Sequence, residues 1–207
     1  MILAIMEPLH HIFTQAMIAF QKLLFLSIAA FPCLVSTMSA AKQAFPKTGV
    51  GEIEIKVLPA ATLIASRSDS EYFEEDNRLF RPLFRYIQQN DIPMTTPVEA
   101  EIDPGVMYFY IDEETSPNNL EDGKDVTVIE LPERRVASIG ARGSYSQSNF
   151  EEAAEKLSQW LADHPEYEVT GSPRGIYWNG PMTLWFLKRF EVHIPVRESV
   201  SGAEGSE

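Results

Sequence analysis

Sulfur and imidazole are scarce in this chain. Its 207 residues include one cysteine and four histidines. Cys33 lies inside an apolar N-terminal run; once that run is removed no thiol remains, which excludes a disulfide framework, a thiol nucleophile and a thiolate metal site. His10 and His11 precede the same run, so His164 and His193 are the imidazoles of the main body. Positive charge is also short, with 17 Lys and Arg against 30 Asp and Glu and a net charge of −13. Residues 1–41 hold only Glu7 and Lys22, so the whole imbalance falls on the remainder. A surface that acidic repels phosphate backbones and anionic lipid, and no nucleic-acid partner is expected. No nucleophile elbow, phosphate-cradling glycine loop or His-x-x-x-His pair occurs, and Gly140-x-x-Gly143 is too common a spacing to carry chemistry. The acids are scattered, as on a solvated surface, and the expectation is a protein that is not an enzyme.

What the N-terminus does contain is an apolar stretch from Leu23 to Val35, behind Lys22 and ahead of Ser39-Ala40-Ala41. This is the layout of a signal peptide cleaved near Ala41, with Met17 as an alternative start. An uncleaved anchor is the other reading, although the run is short for a spanning helix. Pro32 before Cys33 does not suit a lipoprotein site. The expected organisation is a signal peptide or anchor over 1–41, a linker over 42–51, a folded domain over 52–196 and a disordered acidic tail over 197–207. The location would be periplasmic or secreted, with no membrane contact beyond the N-terminal segment and an oligomeric state that the sequence leaves open.

The length supports one ordinary globular domain with its own core. Residues 52–57 alternate polar and apolar with period two, as a half-buried strand does, and Thr62 to Ala65 resumes an extended segment. Within about Phe73 to Asn90, Leu79, Phe80, Leu83, Phe84 and Ile87 form one helical stripe, which Pro82 should bend. Val106 to Ile111 reads as a strand buried on both faces. Residues 126–133 then repeat the strand-then-Leu-Pro pattern of 53–60 at a shift of about 73 positions, a period that means a duplicated half-domain. A second helix is expected from Asn149 to Asp163 with Ser148 and Glu151 as a capping box. Strands are expected at Tyr167 to Thr170 and Thr183 to Ile194. Two such halves predict an α+β fold, a twisted antiparallel β-barrel flanked by two helices and related by a pseudo-twofold axis.

Between the first helix and the strand at Val106 lies Ile92-Pro93-Met94-Thr95-Thr96-Pro97-Val98. Two prolines exclude helix and central strand, so the backbone runs extended at an edge or wall. Ile92, Met94 and Val98 form an apolar row, fit to line a pocket for something flat and greasy or simply to pack a core.

That stretch, placed after a helix ending Phe84-Arg-Tyr-Ile87, and the closing Trp178-Asn-Gly-Pro-Met-Thr-Leu-Trp-Phe-Leu-Lys-Arg-Phe-Glu-Val-His-Ile-Pro195 together resemble the SOUL haem-binding family. The first matches its Ile-x-Met-Thr-x-Pro-Val and the second its Asn-Pro-Pro-x-Thr-x-x-x-x-Arg-Arg-Asn-Glu-Val-x-Ile-Pro, with Gly180 for a proline and Phe190 for an asparagine. The resemblance covers about residues 52–196. It implies a duplicated barrel related to bacterial effector-binding domains and a haem or other tetrapyrrole held in a groove by the first helix, as carrier or scavenger.

Some members carry a histidine in the first strand, where Lys56 and Val57 stand here. His164 ends a helix, where its charge suits the dipole, and His193 reads as a surface or rim residue of a strand. Met94 is the better-placed soft donor, with core packing as its plainer role. The expected cofactor, haem, would therefore be held by area rather than by an axial ligand, against Leu79, Leu83, Phe84, Ile92, Met94 and Val98. Arg78, Arg81 and Arg85 form a basic stripe, and Arg81 and Arg85 are the expected anchors for propionates. Pairing with Glu74 and its neighbours on a solvated face is their alternative role. Two further readings remain: an effector-binding module for another apolar or cationic molecule, and an enzyme acting on a tetrapyrrole.

Overall fold

The computed structural model describes residues 41–112, 114, 120–180 and 182–199, all within one unit spanning 40–207. The elements are β1 (Ile53–Leu58), β2 (Ala61–Arg67), α1 (Tyr72–Gln89), β3 (Val98–Glu101), β4 (Val106–Tyr110), β5 (Thr127–Leu131), β6 (Arg134–Arg142), α2 (Gln147–Ala162), β7 (Tyr167–Val169), β8 (Arg174–Tyr177), a 3-10 turn at Trp185–Leu187 and β9 (Arg189–Glu198). The strands pair antiparallel in the order β1-β6-β9-β8-β3-β4-β2-β5, with β7 added to β9. The sheet curls into a half-barrel whose two ends, β1 and β5, stay apart.

The duplication is visible in that order. Exchanging each strand for its counterpart in the other half reverses the order and leaves it otherwise the same, with the β3–β8 pair, Ala100 opposite Gly175, at the centre. The registers agree: Leu58 pairs with Arg134 and Leu131 with Ala61, the same contact displaced by 73 positions with the halves swapped. Each half's first strand therefore pairs with the other half's second strand.

Period-two alternation sorts the side chains. Ile64, Ala100, Met107, Phe109, Ile139, Tyr177, Phe190 and Val192 face the helices and pack under Leu79, Leu83, Phe150 and Leu157. The opposite face holds Leu63, Val106, Tyr108, Tyr110, Val136, Ile176 and Trp178. Because both faces of β4 are covered, all five of its residues are buried, as its unbroken β-rich run leads one to expect.

Several local expectations differ from the structure. The residue of α1 that leaves helical geometry is Glu75 (φ −132°, ψ 19°), nearer the N-terminus than Pro82. In α2 the cap is Ser146, whose hydroxyl accepts from the Asn149 amide, rather than Ser148. Residues 183–188 form a turn, not a strand. Residues 42–51, expected as a linker, are packed: Phe45 is 4% exposed, and Gln43 and Val50 bridge in parallel to Thr96 and Gly140. A Cβ at Gly140 would stand 2.2 Å from the Gly49 carbonyl oxygen, so glycine is what lets this segment cross β6. β9 continues through Glu198, past the expected domain end, and residues 200–207 and 1–40 lie outside the described residues.

Candidate functional site

The sheet's helix-free face is the less obvious candidate and is already filled. Phe45 inserts there, its ring 5.5 Å from Tyr110 and 5.4 Å from Trp178, both edge-on. Around it are two buried glutamates. Glu99 accepts from Arg134 (2.9 and 2.6 Å), Arg174 (2.8 Å) and the Tyr110 hydroxyl. Burial alone would raise its carboxyl, but the Arg134 charge and hydrogen bonds, with Arg174 and Tyr110, outweigh it and hold it at about 2.

Glu191 accepts from the Thr48 amide (2.9 Å), the Trp178 indole (2.8 Å), Lys56 (3.1 Å), Ser138 (3.1 Å) and His193 (2.8 Å). Burial again acts upward, and the His193 hydrogen bond, Lys56 and the Thr48 amide bring it down to about 2. His193 is 1% exposed, so it is not the rim residue expected. Burial, its largest influence, lowers its pKa; a neutral ring donating from Nε2 leaves Nδ1 as the acceptor that finds no partner. Apart from that nitrogen, the charged and polar groups named here are paired within this aromatic interior.

The helix-covered side differs. A cavity of about 650 Å³ lies beside α1, lined by Ala65, Ser66, Arg67, Asp69, Arg78, Leu79, Pro82, Lys124, Val126 and Thr127 among others. Its outer wall, the 121–127 segment, is tied to α1 by the Tyr86 hydroxyl donating to the Glu121 carbonyl at 2.7 Å. The rim is fixed by Glu75, which accepts from Ser68 and from Arg78 (2.8 Å); those contacts, the Ser68 hydrogen bond first, keep its carboxyl low. The lining is mainly polar.

The sequence-derived site residues divide by depth. Leu79, Leu83 and Ile92 are buried in the core beneath α1, and Val98 packs half-buried against it. Phe84 and Met94 are 38% and 40% exposed, and the Phe84 ring stacks on Phe80 with centroids 5.5 Å apart. Arg81 and Arg85 are exposed and, among the described residues, carry no ion pair, whereas Arg78 is held by Glu75. The first set packs the core, and the second places an exposed aromatic ring and two guanidinium groups on one helix.

The two histidines of the main body lie elsewhere, His193 on the helix-free face and His164 just after α2. His164 bonds the Trp160 carbonyl through Nδ1 at 2.7 Å and stacks on the Trp160 ring at 3.7 Å. No group of three or more His, Cys, Asp or Glu among the described residues could hold a metal ion.

No curated protein matches the sequence. By structure it is similar to the C-terminal domain of EcmrR, with a TM-score of 0.58 and 17% identity over 72% of this chain and 98% of that one. EcmrR in its DNA complex gives 0.56 and 18% over 72% and 58%, and a hydrolase from Listeria innocua 0.52 and 13% over 72% and 94%. At these identities the likeness is one of fold, the effector-binding-like α+β architecture. The model of the SOUL heme-binding protein family matches residues 43–195, the segment around Phe45, both halves and both motifs included. The chain belongs to the SOUL heme-binding protein family.

Proposed function

We propose that this chain binds haem or a related tetrapyrrole without catalysing a reaction, along the exposed flank of α1. The observation that carries the reading is the partly exposed Phe84, stacked on Phe80, on the same helix as Arg81 and Arg85, which have no ion pair among the described residues, with Met94 exposed on the extended segment that follows. A macrocycle laid on Phe84 and Met94, with Leu79, Leu83, Ile92 and Val98 packed beneath them in the core, gains chiefly from contact. Roughly 300 Å² of apolar area at about 25 cal/mol per Å² gives about 7 kcal/mol before association costs, to which the arginines add their share. The family match supports the ligand class, and the engaged histidines favour retention without strong axial ligation. The net charge of −13 weighs against a nucleic-acid partner, and the Leu23–Val35 run supports export to the periplasm or beyond.

A second reading, an effector module for a different small molecule, draws on the cavity beside Arg78, whose polar walls suit a macrocycle poorly. Hemin titration followed at the Soret band separates the two. Saturation near one equivalent, with the midpoint moved about tenfold or more upward in Arg81→Ala/Arg85→Ala, supports the first; no saturable change favours the second.

A further inference from the structure

Five of the ten large apolar side chains that stand exposed among the described residues fall in six consecutive positions between β8 and β9: Met182, Leu184, Trp185, Phe186 and Leu187, at 95%, 58%, 66%, 47% and 49%. The others, Val50, Val57, Phe84, Met94 and Val169, come singly in the sequence. A contiguous apolar projection of this kind marks a surface that meets something.

The projection stands on a fixed base. The Tyr145 hydroxyl accepts from the Asn179 amide (2.8 Å) and donates to the Arg189 carbonyl (2.9 Å), and the Asn179 side-chain oxygen accepts from the Arg189 amide (2.7 Å). The Gly143 amide reaches the Lys188 carbonyl at 3.0 Å, while the tip closes on itself through Leu187 N–H to the Leu184 carbonyl at 2.9 Å. The backbone polar groups that make these bonds are satisfied within the chain, so they need no water when the tip is covered.

Charge at the base points to the partner. Arg142 sits directly opposite Arg189 across β6 and β9, and Lys188 lies next in sequence, its ammonium 4.8 Å over the Tyr145 ring. None of the three has an ion pair among the described residues. Like charges opposite one another in a ladder are unfavourable unless an anion lies between them. On a protein of net charge −13, three unpaired cations around a tip of tryptophan, phenylalanine, leucine and methionine match the order of a phospholipid interface, phosphates outside and acyl chains within.

We propose that the Met182–Leu187 projection docks the domain on a phospholipid bilayer surface, its tip entering the headgroup boundary and Arg142, Lys188 and Arg189 meeting lipid phosphates. This departs from the expectation that membrane contact stops at the N-terminal segment, and it does not depend on tetrapyrrole binding.

The chain's tryptophans are Trp160, Trp178 and Trp185, so fluorescence reports on the projection even if the Leu23–Val35 run also meets lipid. The full chain is mixed with phosphatidylcholine vesicles, plain or brominated in the acyl chains. Expected are quenching of emission by the brominated lipid, loss of that quenching in Trp185→Phe, and a need for about tenfold more lipid for the same quenching in Leu184→Ser/Phe186→Ser. Both variants change exposed side chains, and unchanged circular dichroism confirms their fold. Absence of quenching, or quenching equal in Trp185→Phe, overturns the proposal. So does shielding of Trp185 that rises with protein concentration without lipid, which means a second copy covers the tip, or shielding that requires hemin.

Discussion

Leu83 of α1 and Leu157 of α2 hold equivalent places in the two halves, each fully buried against the sheet, yet the helices around them have diverged. α2 is regular, starts on a Ser146 cap and carries an exposed Glu152–Lys156 pair. α1 has no side-chain cap at Glu71, breaks helical geometry at Glu75, contains Pro82 and exposes Phe84 and two arginines without an ion pair among the described residues. The cavity beside α1 is about 650 Å³, and the one between α2 and the β7 region about 290 Å³. Duplication supplied one scaffold twice. The surface proposed to bind lies on the copy whose helix is the less regular of the two.

Three expectations test how far the halves remain alike, from the largest effect down. Each half contributes one buried glutamate, and Glu99→Ala would strand Arg134 while Arg174 keeps its pair with Glu101, costing about 3 kcal/mol in urea unfolding. The acid response follows from the same groups. Glu99 and Glu191 sit at about 2 in the fold against an ordinary 4.5, so their contribution is complete above about 4.5 and drains as pH falls toward 2. His193, lowered from 6.5 by burial, adds a loss of the same sign that starts below about 6.5. A stability that held flat from pH 7 to 4 would contradict that assignment.

Next, Leu83→Ala and Leu157→Ala should each cost about 2–5 kcal/mol. Losses within about 1 kcal/mol of each other would mean equivalent cores; a much smaller loss at Leu83 would show that the α1 half is loosely packed beneath its surface as well. The smallest contrast is at the caps. Ser146→Ala should cost about 1 kcal/mol, and Glu71→Ala should stay within about 0.5 kcal/mol, both read by thermal unfolding.

The strands with clean alternation, both helices and the 73-residue repeat were legible in the sequence because each reports one physical period. β3 was not, since Val98-Glu-Ala-Glu101 puts a glutamate at a buried central position and its burial depends on Arg134 and Arg174 from distant strands. Residues 183–188 read as strand for their aromatic and apolar content, although that content faces outward. Phe45 is a single apolar signal in a polar segment, and nothing local shows that Tyr110 and Trp178 await it. The candidate site was legible as an assortment of residues on α1 and the segment after it; the division into buried Leu79, Leu83 and Ile92 and exposed Phe84, Arg81, Arg85 and Met94 required the sheet.

Paramagnetic broadening by hemin tests the central claim most directly. With the amides and methionine methyls of the chain assigned by NMR, substoichiometric hemin should broaden signals of the α1 flank around Phe84 and Arg85 and the Met94 methyl, leaving α2 and the segment around Phe45 sharp. Broadening centred on His193 and Phe45, or spread evenly over the molecule, would contradict binding on that flank.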